Sequence, residues 1–234
     1  MLRAIIFDFD GVIVNSEPLI MRLTRQMAAR QGWPLSEEEY YRDYLALDDR
    51  GIVEHLYHAH GLKCDPRRRD ELVEWKARTY MVAIREGLPP MPGAVEFVRM
   101  AAERYPLAIA SGSMRHEVEY LLDKLNLRDA FAVLASAEDT ELSKPDPAIY
   151  LCALQRLQQL PRFAGQPLCA TECLAIEDAP AGVRAAQAAG MKCVALTHSR
   201  PSGDLLHADA LFRSFAEIDL ELLHALDFRR APQA

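Results

Sequence analysis

The chain is short of the features that would direct it to a membrane, a secreted compartment or a nucleic acid. No apolar run in its 234 residues approaches the roughly 20 residues a membrane span requires. Arg3 is the only charged residue before the first apolar run, which is no convincing signal peptide, so a cytoplasmic location without membrane association is expected. Basic charge is also lacking: a formal net charge of -7 and a pI near 5.5 argue against a general nucleic-acid partner, which would need a basic face. Cysteine is sparse and odd in number, and Cys64, Cys152, Cys169, Cys173 and Cys193 show no paired metal-site spacing. Reduced, structural thiols are expected. His55, His58 and His60 cluster without a matching ligand pair and read as residues of a surface helix. Internal repeats, low-complexity tracts and compositionally disordered segments are absent as well.

What is present is a chain 50% hydrophobic and 26% charged, enough for one substantial core and a smaller appended unit. Its first dozen residues carry the densest information. The apolar run Ala4-Ile5-Ile6-Phe7 reads as a strand buried on both faces, as in parallel sheets flanked by helices. It delivers Asp8 and Asp10 against Gly11. Residues two apart on a strand share a face, so if the strand persists, both carboxylates project into the crevice beyond its carboxyl end, where open α/β sheets bind ligands. Adjacent carboxylates repel, and Mg²⁺, which takes one or two carboxylates plus phosphate oxygens, would hold them. A solvated Asp-Gly turn fits the same residues.

Three later segments shift the balance toward phosphoryl chemistry. Leu107–Ala110 is a short apolar run ending in Ser111-Gly112-Ser113, whose hydroxyls and backbone N–H groups can hold phosphate oxygens; an ordinary N-cap serine is the plainer reading. In Ser143-Lys144-Pro145-Asp146-Pro147, Asp146 suits an N-cap and Pro147 the first helical position. That would hold Lys144 just before a helix, although lysines are by default surface residues. Leu174-Ala175-Ile176 ends in Glu177-Asp178, and Asp178 alone would also pass as an N-cap.

The ordered set resembles the haloacid dehalogenase superfamily, specifically the subgroup with a helical cap inserted after the first motif, which includes proteins similar to β-phosphoglucomutase and phosphoglycolate phosphatase. The four motifs correspond to Asp8-Phe9-Asp10-Gly11-Val12, Ser111, Lys144 and Glu177-Asp178. The resemblance implies that Asp8 is the nucleophile and Asp10 the general acid and base. Ser111, with Gly112 and Ser113, and Lys144 would bind the substrate phosphate. Asp8, Asp10 through its backbone carbonyl, Glu177 and Asp178 would hold Mg²⁺. The residue chemistry agrees: carboxylates form covalent phosphoryl intermediates, and an anion attacking a phosphate in a dry site needs cations around it. Asp10, close to other carboxylates, is expected to protonate more easily than a free aspartate.

The implied fold is α/β, a Rossmann-like doubly wound parallel sheet with an inserted α-helical cap. The core is expected over residues 1–14 and 89–234 and the cap over 15–88, which is helical in pattern and broken at Gly32-Trp33-Pro34 and Gly61. Leu88-Pro89-Pro90-Met91-Pro92-Gly93 reads as a stiff linker. Expected strands are 3–9, 107–111, 132–135, 173–177 and 192–196, with a short sixth near Leu211; expected core helices are 94–104, 114–125, 147–160 and 181–189.

A cap of this kind would close over the substrate and contact its leaving group, with Glu17, Arg50 and Lys76 as candidates. Relatives similar to β-phosphoglucomutase often carry a histidine where this chain has Leu19 and Ile20, and many have aspartate at Asn15. Asp48 and Asp49 favour a hydroxyl- or amine-bearing leaving group over a very anionic one. The expected function is Mg²⁺-dependent hydrolysis of a small phosphorylated metabolite, a sugar phosphate first and a phosphoglycolate-like compound second, by a monomer or weak homodimer. The alternatives are a β-phosphoglucomutase-like phosphosugar mutase, a phosphonate hydrolase using Lys76 or Lys63 as a Schiff base, and a module that stores phosphate on aspartate.

Overall fold

The computed structural model describes residues 1–45, 47, 49–197 and 202–225, so Ala46 and Asp48 of the expected substrate segment lie outside the described residues. The chain divides into two compact units, Met1–Asn15 with Pro89–Ala234, and Ser16–Leu88. Asn15 therefore falls with the first unit, one residue from the expected boundary.

The first unit is built on six parallel strands: β1 (Ala4–Phe7), β2 (Leu107–Ala110), β3 (Phe131–Ala135), β4 (Cys173–Glu177), β5 (Lys192–Leu196) and β6 (Ala210–Phe212). Their order is β3-β2-β1-β4-β5-β6. The chain moves outward from β1 through β2 to β3, then returns to the other side of β1 to begin β4, which makes the carboxyl ends of β1 and β4 a topological switch point. Ile5 pairs with Leu107 on one side and Leu174 on the other. All four residues of β1 are buried, as a continuous apolar run between two neighbouring strands must be.

The pleat sends alternate side chains to opposite layers. Ala4 and Ile6 join Ala108, Ala110 and Ala175 in a cluster packed on Tyr150, Ala153, Val183 and Ala186. These come from α7 (Ala148–Gln158) and α8 (Pro180–Ala188). Phe7 faces the other way, edge-on to Phe131 at 5.7 Å and Phe97 at 6.1 Å between ring centroids. Phe97 belongs to α5 (Ala94–Ala102). Each fully buried aromatic or branched side chain contributes about 1.5–3 kcal/mol of transfer free energy. Helix α6 (Arg115–Lys124) links β2 to β3, and α9 (Leu220–Ala225) closes the described chain.

The second unit holds α1 (Glu17–Arg30), the short α2 (Glu37–Glu39), α3 (Asp49–Ala59) and α4 (Pro66–Ala83). Met27, Tyr40, Tyr44, Ile52, Leu56 and Leu72 form its core. Ser36 and Glu39 make a reciprocal capping box ahead of α2. Asp65 caps α4 by accepting from the Arg67 and Arg68 amides, with Pro66 at its first position. Between α2 and α3, Tyr40–Tyr44 forms one π-helical turn, closed by the Leu45 amide on the Tyr40 carbonyl. No helix among the described residues is long and apolar enough to cross a membrane.

The chain leaves and re-enters the first unit side by side. Val14 bridges Pro90 in antiparallel fashion, Asn15 N–H donates to the Pro89 carbonyl, and Met91 N–H donates to that of Ile13. The proline-rich segment expected to act as a linker is thus paired backbone.

Candidate active site

Strand β1 ends two residues earlier than expected, at Phe7, because the chain turns tightly after Asp8. The Asp8 amide still donates to the Ile176 carbonyl at 2.9 Å. That bond keeps Asp8 in phase with Ala4 and Ile6, on the side of the sheet where α7 packs. Gly11 makes the turn with φ of +76°, a conformation that disfavours any side chain. A Cβ there would also overlap the Asp178 carboxylate.

Lys144 is the centre of the cluster. Its Nζ donates to Asp8 Oδ1 at 2.6 Å and to Glu177 Oε1 at 2.7 Å. Lys144 precedes α7 by a short loop in which Asp146 accepts from the Ala148 amide at 2.9 Å. Asp146 is therefore not the N-cap expected but lies one residue before it: the helix begins one residue later, at Ala148, with Pro147 as its cap position, and Asp146 closes the turn that leads in. Glu177, at the carboxyl end of β4 and fully buried, also receives the Tyr150 hydroxyl on Oε1 at 2.7 Å. Its other oxygen receives the Asp178 and Ala179 amides at 3.1 and 3.4 Å. Gly182 on α8 leaves the room this requires, since a Cβ would overlap the Glu177 carboxylate.

Asp8 and Asp10 go to different partners. Asp10 Oδ2 accepts from the Ser113 hydroxyl at 2.5 Å, while its Oδ1 is buried without a hydrogen-bond partner. Ser111 Oγ accepts from the Ser113 amide at 2.9 Å, which shapes the turn after β2 and leaves the Ser111 hydroxyl proton free to donate elsewhere. The two serines and Gly112 sit just before α6, whose cap position is Met114. A repelling Asp8–Asp10 pair clamped by one cation is therefore not the side-chain arrangement found.

Asp8, Glu177 and Asp178 instead form the acidic group, with one ligand oxygen from each within 4.8 Å of the others. These residues fit a divalent cation: the three carboxylates are buried together, all donors are hard oxygens, and the group lies at the carboxyl ends of β1 and β4. Burial first, and then the charge of Glu177, push the Asp8 carboxyl well above its ordinary range, with Lys144 pulling the other way. Burial works against the Lys144 ammonium, but Asp8 and then Glu177 more than offset it, and Lys144 stays charged. Burial and the Glu177 charge hold the Tyr150 phenol protonated.

The cap candidates occupy three different environments within their own unit. Glu17 opens α1, and its carboxylate, hydrogen-bonded to Tyr40, adds to burial in raising the Tyr40 phenol. Lys76 on α4 is buried and ion-paired with Asp49. Arg50 is exposed in the first turn of α3. Sequence reasoning missed Tyr150, six residues along from Lys144 in the first turn of α7, and the steric need for Gly182. It also missed Asp139, which accepts from Arg115 and Arg156 and from both donors of Ser136.

The chain is similar in sequence and fold to many known proteins. Hexitol phosphatase B of Escherichia coli is 33% identical over 221 residues, 93% of this chain and 94% of that protein. The phosphorylated carbohydrates phosphatase of Thermotoga maritima is 31% identical over 213 residues, 90% of this chain and 93% of that protein. The solved structure of CbbY from Rhodobacter sphaeroides in complex with phosphate superposes with a TM-score of 0.76 at 26% identity, covering 93% of this chain and 96% of that one. Residues 2–190, which hold every member of the acidic cluster, match the family described as haloacid dehalogenase-like hydrolase, and with relatives this similar over nearly its whole length, the chain belongs to that family.

Proposed function

We propose that the chain is a phosphomonoesterase for small phosphorylated carbohydrates, with Asp8 as the nucleophile and Asp10 as the acid and base. The observation that carries the reading is Lys144 joined to both Asp8 and Glu177 beside Asp178, at the switch point of the sheet. Asp8, Glu177 and Asp178, with the backbone carbonyl of Asp10, would hold Mg²⁺. When bound, the ion supplies the positive charge that lets a carboxylate approach a phosphate.

The residues divide the chemistry between them. A carboxylate oxygen of Asp8 attacks phosphorus, and the bond from phosphorus to the leaving oxygen breaks. Lys144 and the Ser111 hydroxyl, with the backbone amides of its turn, hold the phosphoryl oxygens. Asp10, fixed by Ser113 through one oxygen and unengaged at the other, gives a proton to the departing hydroxyl. It then takes one from the water that hydrolyses the aspartyl-phosphate. Burial of Asp8 and Ser111 keeps bulk water from the intermediate.

The named activities of the Escherichia coli and Thermotoga maritima relatives support a carbohydrate leaving group. Leu19 and Ile20 in place of a histidine weigh against a mutase. A Schiff-base role for Lys76 is disfavoured because Asp49 already engages its amine. Phosphate release from hexitol phosphates, hexose phosphates, phosphoglycolate and an aryl phosphate, with Mg²⁺ or with chelator, tests the proposal beside Asp8→Asn. Metal-dependent turnover on carbohydrates, reduced at least about 10³-fold in the variant, is expected. Turnover that survives Asp8→Asn would overturn it.

A further inference from the structure

We propose that Tyr150 is a positioning residue for the acidic centre, holding Glu177 in the orientation that completes the group formed with Asp8 and Asp178. The inference rests on the reading of that group as a metal centre. Glu177 has four donors: Lys144 and Tyr150 on Oε1, and the Asp178 and Ala179 amides on Oε2. The two amides belong to the turn that Glu177 itself begins. They fix one oxygen but leave the carboxylate free to rotate about it.

The donors on Oε1 stop that rotation, and they are not equivalent. Lys144 serves Asp8 as well as Glu177, and a phosphoryl group arriving at Asp8 would compete for it. The Tyr150 hydroxyl has one proton, and it goes to Glu177. Tyr150 is fully buried on α7, its ring packed in the core beneath the sheet's carboxyl edge. It thus reaches Glu177 from an element that takes no other part in the cluster. The ring does a second job, since Lys144 Nζ lies 5.2 Å from its centroid, within range of a cation–π contact. Tyr150 therefore supports both an acidic ligand and the cation beside it, as outer partners of metal ligands commonly do.

Tyr150→Phe removes the hydroxyl and leaves the ring. Binding of Mn²⁺ alone, followed by electron paramagnetic resonance, is expected to weaken roughly tenfold to hundredfold. At saturating metal, kcat should fall more than KM changes. Glu177→Gln should weaken Mn²⁺ binding too, and adding Tyr150→Phe to it should cost little more, because one acts through the other. Circular dichroism establishes that the variants fold. Fluorotyrosine at position 150 of the otherwise native chain gives an independent reading, in which its fluorine resonance should move when Mg²⁺ is added. Unchanged Mn²⁺ affinity in Tyr150→Phe, fully multiplicative losses in the double variant, or a resonance that ignores Mg²⁺ would each overturn the inference. If the parent chain binds no Mn²⁺, the metal-centre reading fails first, and the two failures are thereby told apart.

Discussion

Ser113 ties the loop after β2 to the proposed acid. It donates its hydroxyl proton to Asp10 and its amide proton to Ser111 Oγ, so the carboxylate proposed to handle the leaving-group proton is oriented by a neighbour that also shapes the turn proposed to hold phosphate. Ser113→Ala would leave Asp10 Oδ2, in a partly buried position, without that donor. Because an unpaired buried acceptor costs about 1–3 kcal/mol, kcat for phosphate release should drop roughly tenfold to hundredfold, with a smaller change in KM. Gly182 gives a steric counterpart. Gly182→Ala would push a methyl group into the Glu177 carboxylate, and a loss of about 1–3 kcal/mol in stability is expected from such overpacking. Denaturant melts would measure it, and Mg²⁺ affinity should fall in the same variant.

Among the elements, the exit of β3 is held by charge. Asp139 accepts from Arg156 at 2.6 and 2.8 Å and from Arg115 at 2.8 Å. The same loop reaches the site through the Ala137 amide, which donates to the Ser113 carbonyl at 3.0 Å. The Arg156 hydrogen bonds hold the Asp139 carboxyl well below the usual range. A carboxylate whose folded-state pKa lies below its unfolded value stabilises the fold above the unfolded pKa, near 3.9, and loses that contribution as pH falls toward the folded one. Asp139→Asn should therefore cost about 1–2 kcal/mol at neutral pH, a figure discounted for the partly exposed arginines. The difference from the parent should be flat from about pH 8 to pH 5 and shrink below about pH 4 in chemical melts.

The elements also show where sequence reading succeeds and where it stops. β4 and β5 lie at the residues expected, because continuous apolar runs between polar turns have few other uses in an α/β chain. Asp8, Ser111 and Glu177-Asp178 were legible for the same reason, each directly following such a run, whereas Lys144 was legible from the Pro145-Asp146-Pro147 helix start behind it. The end of β1 was not, since Phe9 is as buried as Phe7 and only the Gly11 turn separates loop from strand. The π-helical turn at Tyr40–Tyr44 was missed because its spacing departs from the helical period used to find helices. Tyr150 and Asp139 gave no signal because their roles depend on contacts between elements, Tyr150 with Glu177 at a separation of 27 residues and Asp139 with Arg115 at 24.

For the whole molecule, ligand and fold should be linked. A cation that binds three buried carboxylates of the folded chain and not the unfolded one stabilises it by mass action, about 2.7 kcal/mol at a concentration 100-fold above its dissociation constant. For a chain of this length that corresponds to roughly 5–10 °C in melting temperature. Mg²⁺ should raise the melting temperature by such an amount in scanning calorimetry, chelator should reverse the rise, and Asp178→Asn should abolish it. The paired backbone at Ile13–Asn15 and Pro89–Met91 bears on the history of such a chain as well as its chemistry. Where an insertion begins and ends on adjacent, hydrogen-bonded residues outside the sheet, the strands are spared its length and composition. New helices can be substituted, lengthened or traded at that point while every strand keeps its neighbours, so the second unit can diverge through one junction while Asp8 and its partners stay in place.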